Sequence, residues 1–396
     1  MIDRAVAEQV DFVVLAGDLF QKRAIDALTL NQAMVGLERL QAAAIPCIAV
    51  EGNHEHAYYQ DVIGWREFLA QRRLLILLDA EFVEGKPQLT PYREATRRGA
   101  YTDPAPGVRV YGMRYYGSST PAAVNAYAAA LEEAPPDDAV KYAIFVAHGG
   151  VEGVLADQAG GLSVRQWSAL KTHVDYLALG HIHKPYDFED WIYNPGSTET
   201  CSVAEAEWSD RGYYLVDVNT DAAGAAGALQ HAATRHANRR RPFFRLAYKV
   251  DHAATPADLE SKVGEYLLRK ARDLRVDRLG EGERPVIDLQ LTGVLPFDRN
   301  ALGLETIEAL AVEAFAPLHV MVKNHTRAAE FAVEAEEGLS RAQLERRVLA
   351  ELLARDQRFA GDSEAWAKLA VTIKQLALSG VGAEAILEEI AATEKD

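Results

Sequence analysis

Short apolar runs separated by helix-period stretches set the rhythm of the first half of the chain. Runs at 12–16, 45–50, 74–78, 108–113, 142–147 and 175–179 are five or six residues long. That pattern predicts buried strands of a largely parallel sheet. Helical patterns at 24–43, 62–70 and 121–133 lie between them, and such a β-α-β order implies right-handed crossovers. Ahead of the first strand, Ile2, Ala5, Val6 and Val10 are spaced to form one apolar face of a helix over 1–10.

Beyond residue 183 the pattern changes to short aromatic strands near 191–193, 213–218 and 229–234. These predict an antiparallel second sheet packed on the first, with an Ala/Gly-rich connection at 221–227. Arg239-Arg240-Arg241-Pro242 marks a boundary. A smaller helix-and-strand unit is expected over 240–328, after a core of 1–236. The remaining 336–396 is helical, with Ser340 and Gln343 placed as a capping box. The fold class is therefore α/β: a two-sheet β-sandwich flanked by helices, a smaller α/β domain and a C-terminal helical segment.

Length and charge narrow this picture. A chain of 396 residues suggests two or three domains. A formal charge of −16 weighs against broad attraction to nucleic acid and makes any DNA affinity modest, salt-sensitive and dependent on a local basic strip or bound metal. Two cysteines, Cys47 and Cys201, fit a reducing, cytoplasmic setting without a disulfide framework. No apolar run approaches the roughly 18 residues of a membrane span, and the start carries no secretory signal pattern.

Four motifs follow directly on predicted strands: Gly17-Asp18, Gly52-Asn53-His54-Glu55, His148-Gly149-Gly150 and Gly180-His181-Ile182-His183. Strand ends of this kind meet at the carboxyl edge of an α/β sheet, where ligands bind. An isolated strand-end Asp or His most often caps a helix or bonds a loop, but four such motifs converging are suited to a pair of divalent cations about 3.5–4 Å apart. Asp18 is the natural bridging carboxylate, with Asn53, His148, His181 and His183 as amide and imidazole ligands. His181 and His183 alternate with Ile182, so on an extended segment both rings point one way. His54 is the candidate general acid, with Glu55 expected to hold its tautomer. The other histidines lack a strand-end context, and Arg269, Lys270, Arg272, Arg275 and Arg278 are read as a solvated helix end in preference to phosphate contacts.

In order and content these motifs resemble those of the calcineurin-like metallophosphoesterase superfamily. Gly17-Asp18-Leu19-Phe20 and Tyr193-Asn194-Pro195-Gly196-Ser197 are similar to the SbcD-type nuclease subunit, and Arg241-Pro242-Phe243 resembles the opening of that family's capping domain. The resemblance implies a metallophosphoesterase-like core, a DNA-binding cap and helices that dock on an SbcC-like ATPase. It further implies two divalent ions, manganese by preference, with Asp18 bridging, Asn53, His148 and His181 on one ion and His183 on the other. His54 would be the catalytic histidine of an exonuclease and endonuclease acting on DNA ends in double-strand-break repair, with dimerisation through the core. The superfamily's first motif, Asp-x-His, is absent ahead of Asp18. That leaves one ion with Asp18 and His183 alone, so weak binding there and little activity are expected. A truncated start is the simplest explanation, and a non-catalytic scaffold subunit is the alternative. A phosphatase or cyclic-nucleotide phosphodiesterase is the competing enzyme class.

Overall fold

The computed structural model describes residues 1–55, 62–155, 161–208, 210–222, 230–328, 341–354, 356, 358–379, 382–384 and 386–387. His56, Ser340, 223–229 of the Ala/Gly-rich connection and 388–391 of the last predicted helix lie outside these.

The first layer is a helix-covered parallel sheet. Helix α1 (Ile2–Glu8) ends at Gln9, which turns left-handed. Strands β1 (Val13–Leu15), β2 (Cys47–Ala49) and β3 (Ile76–Leu77) pair in that order, all parallel. Between them run α2 (Ala27–Ala42), capped by the Asp26 carboxylate on the Thr29 N–H, and α3 (Trp65–Gln71). Leu37, Leu40, Cys47, Ala49 and Leu69 are buried together on the helix side.

The second layer has six strands in the order β10-β11-β9-β8-β7-β6. After the hairpin β4 (Glu81–Val83) and β5 (Lys86–Gln88) come β6 (Tyr101–Ala105), β7 (Val108–Met113), α4 (Thr120–Glu133), β8 (Tyr142–Ala147) and α5 (Val164–Trp167). Strands β9 (Tyr176–Leu179), β10 (Tyr186–Phe188) and β11 (Ile192–Asn194) complete the sheet. Strict alternation divides the side chains of β7 and β8 between two cores. Val108, Val110, Ile144 and Val146 join Ile48 of β2 and Val50 just after it in an inner cluster. Tyr111, Met113, Phe145 and Ala147 face Val124, Tyr127 and Leu131 of α4. Strands β12 (Gly212–Val218) and β13 (His231–Ala237) form an antiparallel ribbon whose Tyr214, Val216 and Ala233 pack on the inner cluster.

The α/β class is as read from the sequence, but the pairing differs in one respect. Strand β11 does not belong to an antiparallel second sheet; it lies parallel to β9 within the six-stranded sheet. The cause is a tight hairpin. Glu189 and Asp190 both adopt left-handed φ, 57° and 48°, the conformation of a type I′ turn. It reverses the chain so that β10 is antiparallel to β11. Two acidic residues carry none of the usual Asn-Gly signal for that turn.

Strands β14 (Phe243–Lys249), β15 (Val286–Leu295) and β16 (His319–Ala328) are ordered β14-β15-β16, with α6 (Pro256–Asp273) and α7 (Leu304–Phe315) between them in sequence. By contacts the chain divides into two compact units, Met1–Leu246 with Ala271–Leu289 and Ala311–Met321, and Ala247–Lys270 with Gln290–Leu310 and Val322–Asp396. In the second unit α8 (Arg341–Leu353) and α9 (Ser363–Leu378) pack as a helical pair, with Arg346 paired to Glu364 across them. On α6, Arg269 and Lys270 each sit 5.8 Å from the Tyr266 ring centroid. Among the described residues no helix is long and apolar enough to cross a membrane.

Candidate metal centre

The carboxyl ends of β1, β2, β8 and β9 bring four of the predicted residues together. Asp18 follows Gly17 after β1 and is itself left-handed at φ 49°. Its Oδ1 accepts the His54 N–H at 3.0 Å, while Oδ2 lies 3.1 Å from His148 Nε2. His148, fully buried after β8, uses Nδ1 to donate to the Ala16 carbonyl at 2.8 Å. Its Nε2 then faces Asn53 Oδ1 at 2.9 Å, and His181 Nδ1 lies 3.0 Å from the same oxygen and 3.2 Å from His148 Nε2.

This geometry tests whether a cation fits. With the Nδ1 proton of a neutral His148 spent on Ala16, Nε2 presents a lone pair. Asp18 Oδ2, Asn53 Oδ1, His148 Nε2 and His181 Nδ1 thus converge as electron-pair donors. One proton on His181 can bridge only one of these contacts, whereas a divalent cation satisfies them all. The donor set, one carboxylate, one amide oxygen and two imidazoles, fits a metal such as manganese or zinc. The Asp18, His148 and His181 donor atoms lie within 4.8 Å of one another.

Backbone placement is demanding. Gly17 is at φ 84°, and a Cβ there would overlap the His148 ring. A Cβ at Gly52 would overlap the Asp18 carboxylate. His181 is at φ 79°, a region disfavoured for a residue with a Cβ and one that clusters at ligand sites.

Glu55 corrects the sequence reading. It is 1% exposed, and its carboxylate accepts the backbone N–H groups of Asp18 (3.1 Å), Leu19, Phe20 (3.3 Å) and Gly52 (3.2 Å). Arg66 Nε lies 2.8 Å from its Oε2, with both side chains fully buried. Glu55 therefore staples the Asp18 turn to the Asn53 turn instead of holding a tautomer of His54. His54 lies at the rim, 36% exposed, with Nε2 3.8 Å from Asp18 Oδ2.

His183 engages different groups. Its Nδ1 is 2.8 Å from Glu205 Oε1, and it clusters with Cys201 and Glu205. The left-handed turn at His181 replaces the extended backbone on which both rings were expected to point the same way. Tyr115, reached by the chain after β7, was missed from sequence. Its ring lies 5.5 Å from that of His181 and 5.7 Å from that of His148, and no pattern around it distinguishes it from a core tyrosine.

Burial opposes the Asp18 charge, but in the cation-free protein the hydrogen bond and charge of a protonated His148, with the His54 N–H, more than offset it, so Asp18 titrates below the usual carboxylate range. Burial, then the neighbouring His148 charge, lowers His181 to about 4, which keeps it neutral at pH 7. Hydrogen bonds that His183 donates to Cys201 and Glu205 raise it to about 10. The two histidines therefore affect stability in opposite directions. His183 contributes stability that is complete below the unfolded value of about 6.5 and is lost as pH rises through about 10. His181 contributes stability that is complete above about 6.5 and is lost as pH falls to about 4, because the unfolded chain takes up the proton first. Cation-free protein should lose about 2 kcal/mol from this source between pH 7 and pH 4. Urea unfolding in chelator at the two pH values, with His181→Gln as the flattened control, measures it; equal slopes in both proteins would rule it out.

A family model described as calcineurin-like phosphoesterase matches residues 1–185, the stretch that carries the strand-end cluster. The chain is 29% identical over 225 residues to a protein of Bacillus subtilis (strain 168) described as the uncharacterized metallophosphoesterase YhaO, a match covering 55% of this chain and 48% of that protein. It is 26% identical over 220 residues to the DNA double-strand break repair protein Mre11 of Methanopyrus kandleri, covering 52% and 45%. With Mre11 of Saccharolobus solfataricus the identity is 25% over 228 residues, covering 56% and 53%. The chain spans about half the length of these relatives.

Proposed function

We propose that the protein is a metal-dependent phosphodiesterase acting on DNA, the nuclease subunit of a double-strand-break repair complex with an SbcC-like ATPase. The observation that carries the reading is the convergence of Asp18, Asn53, His148 and His181 as cation ligands, with His54 at the rim. The similarity to Mre11 proteins supports DNA as the substrate. In this reading 1–236 is the nuclease core, 240–328 a cap that limits which DNA ends enter, and 336–396 the ATPase-binding helices. A homodimer through the core, manganese as the ion and a cytoplasmic setting belong to the same proposal.

A divalent ion held by the cluster supplies Lewis acidity toward a phosphoryl oxygen. The chain's own groups supply the rest. Asp18 stays ionised, and with Asn53 it is held in register by the Glu55 staple. His148 is fixed in orientation by its bond to Ala16. His54, partly solvated and tethered through its N–H to Asp18, is placed to hydrogen-bond a non-bridging oxygen or protonate the leaving oxygen.

With manganese, this chain is expected to cleave linear duplex DNA and bis-p-nitrophenyl phosphate slowly, and p-nitrophenyl phosphate more slowly still. His54→Asn should lower the diester kcat by about 10²–10⁴-fold while cation affinity holds. Rapid monoester cleavage with duplex DNA left intact would favour the phosphatase class and defeat the nuclease reading.

A further inference from the structure

Of the two imidazoles in the Asp18 cluster, only His148 is oriented by a hydrogen bond behind it. An imidazole that ligates through one nitrogen is ordinarily held by a bond from the other, and His148 follows that rule through Nδ1 and the Ala16 carbonyl. His181 does not. Its Nδ1 faces Asn53 Oδ1 and His148 Nε2, and among the described residues its Nε2 has no hydrogen-bond partner. We propose that Tyr115 is the positioning residue that takes the place of that bond: its ring is a platform that holds the His181 imidazole with Nδ1 turned to the cation.

The contacts are directional. The Tyr115 and His181 ring centroids are 5.5 Å apart with the planes inclined at 30°, while Tyr115 meets His148 edge-on at 5.7 Å and 76°. His181 and His148 are in turn 5.0 Å apart at 75°. The His181 ring is thus flanked by two aromatic neighbours at favourable separations, and a rotation that carried Nδ1 out of the cluster would have to push past Tyr115. Tyr115 is itself held. Its N–H donates to the Glu51 carbonyl at 2.9 Å, immediately before the Gly52-Asn53 turn. On either side, Arg114 Nε lies 3.3 Å from Asp79 Oδ2, and the Tyr116 hydroxyl donates to Asp79 Oδ1 at 3.4 Å. The platform is therefore tied to the turn that carries Asn53. The Tyr115 hydroxyl makes no hydrogen bond with the described residues, so the ring and not the O–H carries the role. The competing arrangement is a tyrosine that only fills space, with His181 oriented by the cation alone.

The inference rests on the cluster being a cation site, and manganese calorimetry separates the two. A native chain that took up no manganese would remove the cluster and this role with it, whereas native uptake matched by Tyr115→Leu would remove the role alone. Tyr115→Leu, which keeps apolar bulk without a ring, is expected to weaken manganese binding by about tenfold or more. Tyr115→Phe, which keeps the ring, should bind as the native chain does. In a His181→Gln background there is no imidazole to hold, so Tyr115→Leu should cost no further affinity. A space-filling tyrosine would instead lower stability in both backgrounds and leave affinity alone. In the unmodified, cation-free chain, nuclear Overhauser contacts between selectively labelled Tyr115 and His181 rings should be present before any cation is added and persist in zinc. That readout needs no variant that could misfold. Contacts that appear only with zinc, a Phe variant as weak as the Leu variant, or a loss that persists in His181→Gln would each overturn the role.

Discussion

Asp18→Asn should weaken divalent-cation binding at the Asp18–Asn53–His148–His181 cluster by at least about 100-fold, because even groups that merely orient ligands are worth roughly 10–100-fold. The change removes the cluster's only carboxylate and keeps its shape. It also places an amide N–H where Oδ2 now lies 3.1 Å from His148 Nε2, so the lone pairs acquire an internal donor. Cation-free stability should therefore stay within about 1 kcal/mol of the native chain, while manganese no longer raises the melting temperature. Calorimetry on both proteins, with a thermal melt run with and without manganese, checks the pair of effects. Unchanged affinity would remove Asp18 from the ligand set, and with it the basis for phosphoester hydrolysis at this edge.

How much of this was legible in the sequence depended on the scale of the feature. Asp18, Asn53, His148 and His181 were readable because each sits just after a strand whose apolar run is unmistakable, and parallel strands deliver their ends to one edge. Glu55 was misread because adjacency to His54 suggested a local partner. Its actual partners, the N–H groups of residues 18–20, are 35–37 positions away in sequence and come into range only once β1 and β2 pair. The His183 ring points away from that of His181 for a backbone reason. The period-two argument holds on extended chain, and the left-handed φ of 79° at His181 ends the extension one residue too early. The β11 pairing failed similarly, since Glu189-Asp190 gives no propensity signal for the turn it makes. Tyr115 offered no pattern at all. What escaped was set by single-residue φ values and by contacts distant in sequence, neither of which composition or periodicity encodes.

The same staple yields the largest expected effect on stability. Glu55→Gln should cost about 3–5 kcal/mol, the range for removing one partner of a buried ion pair. Two losses combine. Arg66 Nε loses the carboxylate 2.8 Å away, with no exposed surface from which water could replace it. The glutamine then turns an N–H₂ toward the backbone N–H groups of Asp18, Leu19, Phe20 or Gly52 that the second carboxylate oxygen had satisfied. Arg66→Met should cost less, because Glu55 keeps its backbone donors and the methionine fills much of the guanidinium's volume. Combining Glu55→Gln with Arg66→Met should recover at least about 1 kcal/mol relative to simple addition, since the orphaned cation is gone. Urea unfolding of the four proteins gives that coupling energy directly. Cation affinity should follow Glu55 and not Arg66, because it is the glutamate that accepts the backbone N–H groups of the turn carrying Asp18 and of Gly52. If Glu55→Gln unfolded like the native chain and bound manganese equally well, the two turns would have to be held in register by β1–β2 pairing alone, and the cluster's geometry would belong to the sheet instead of the staple.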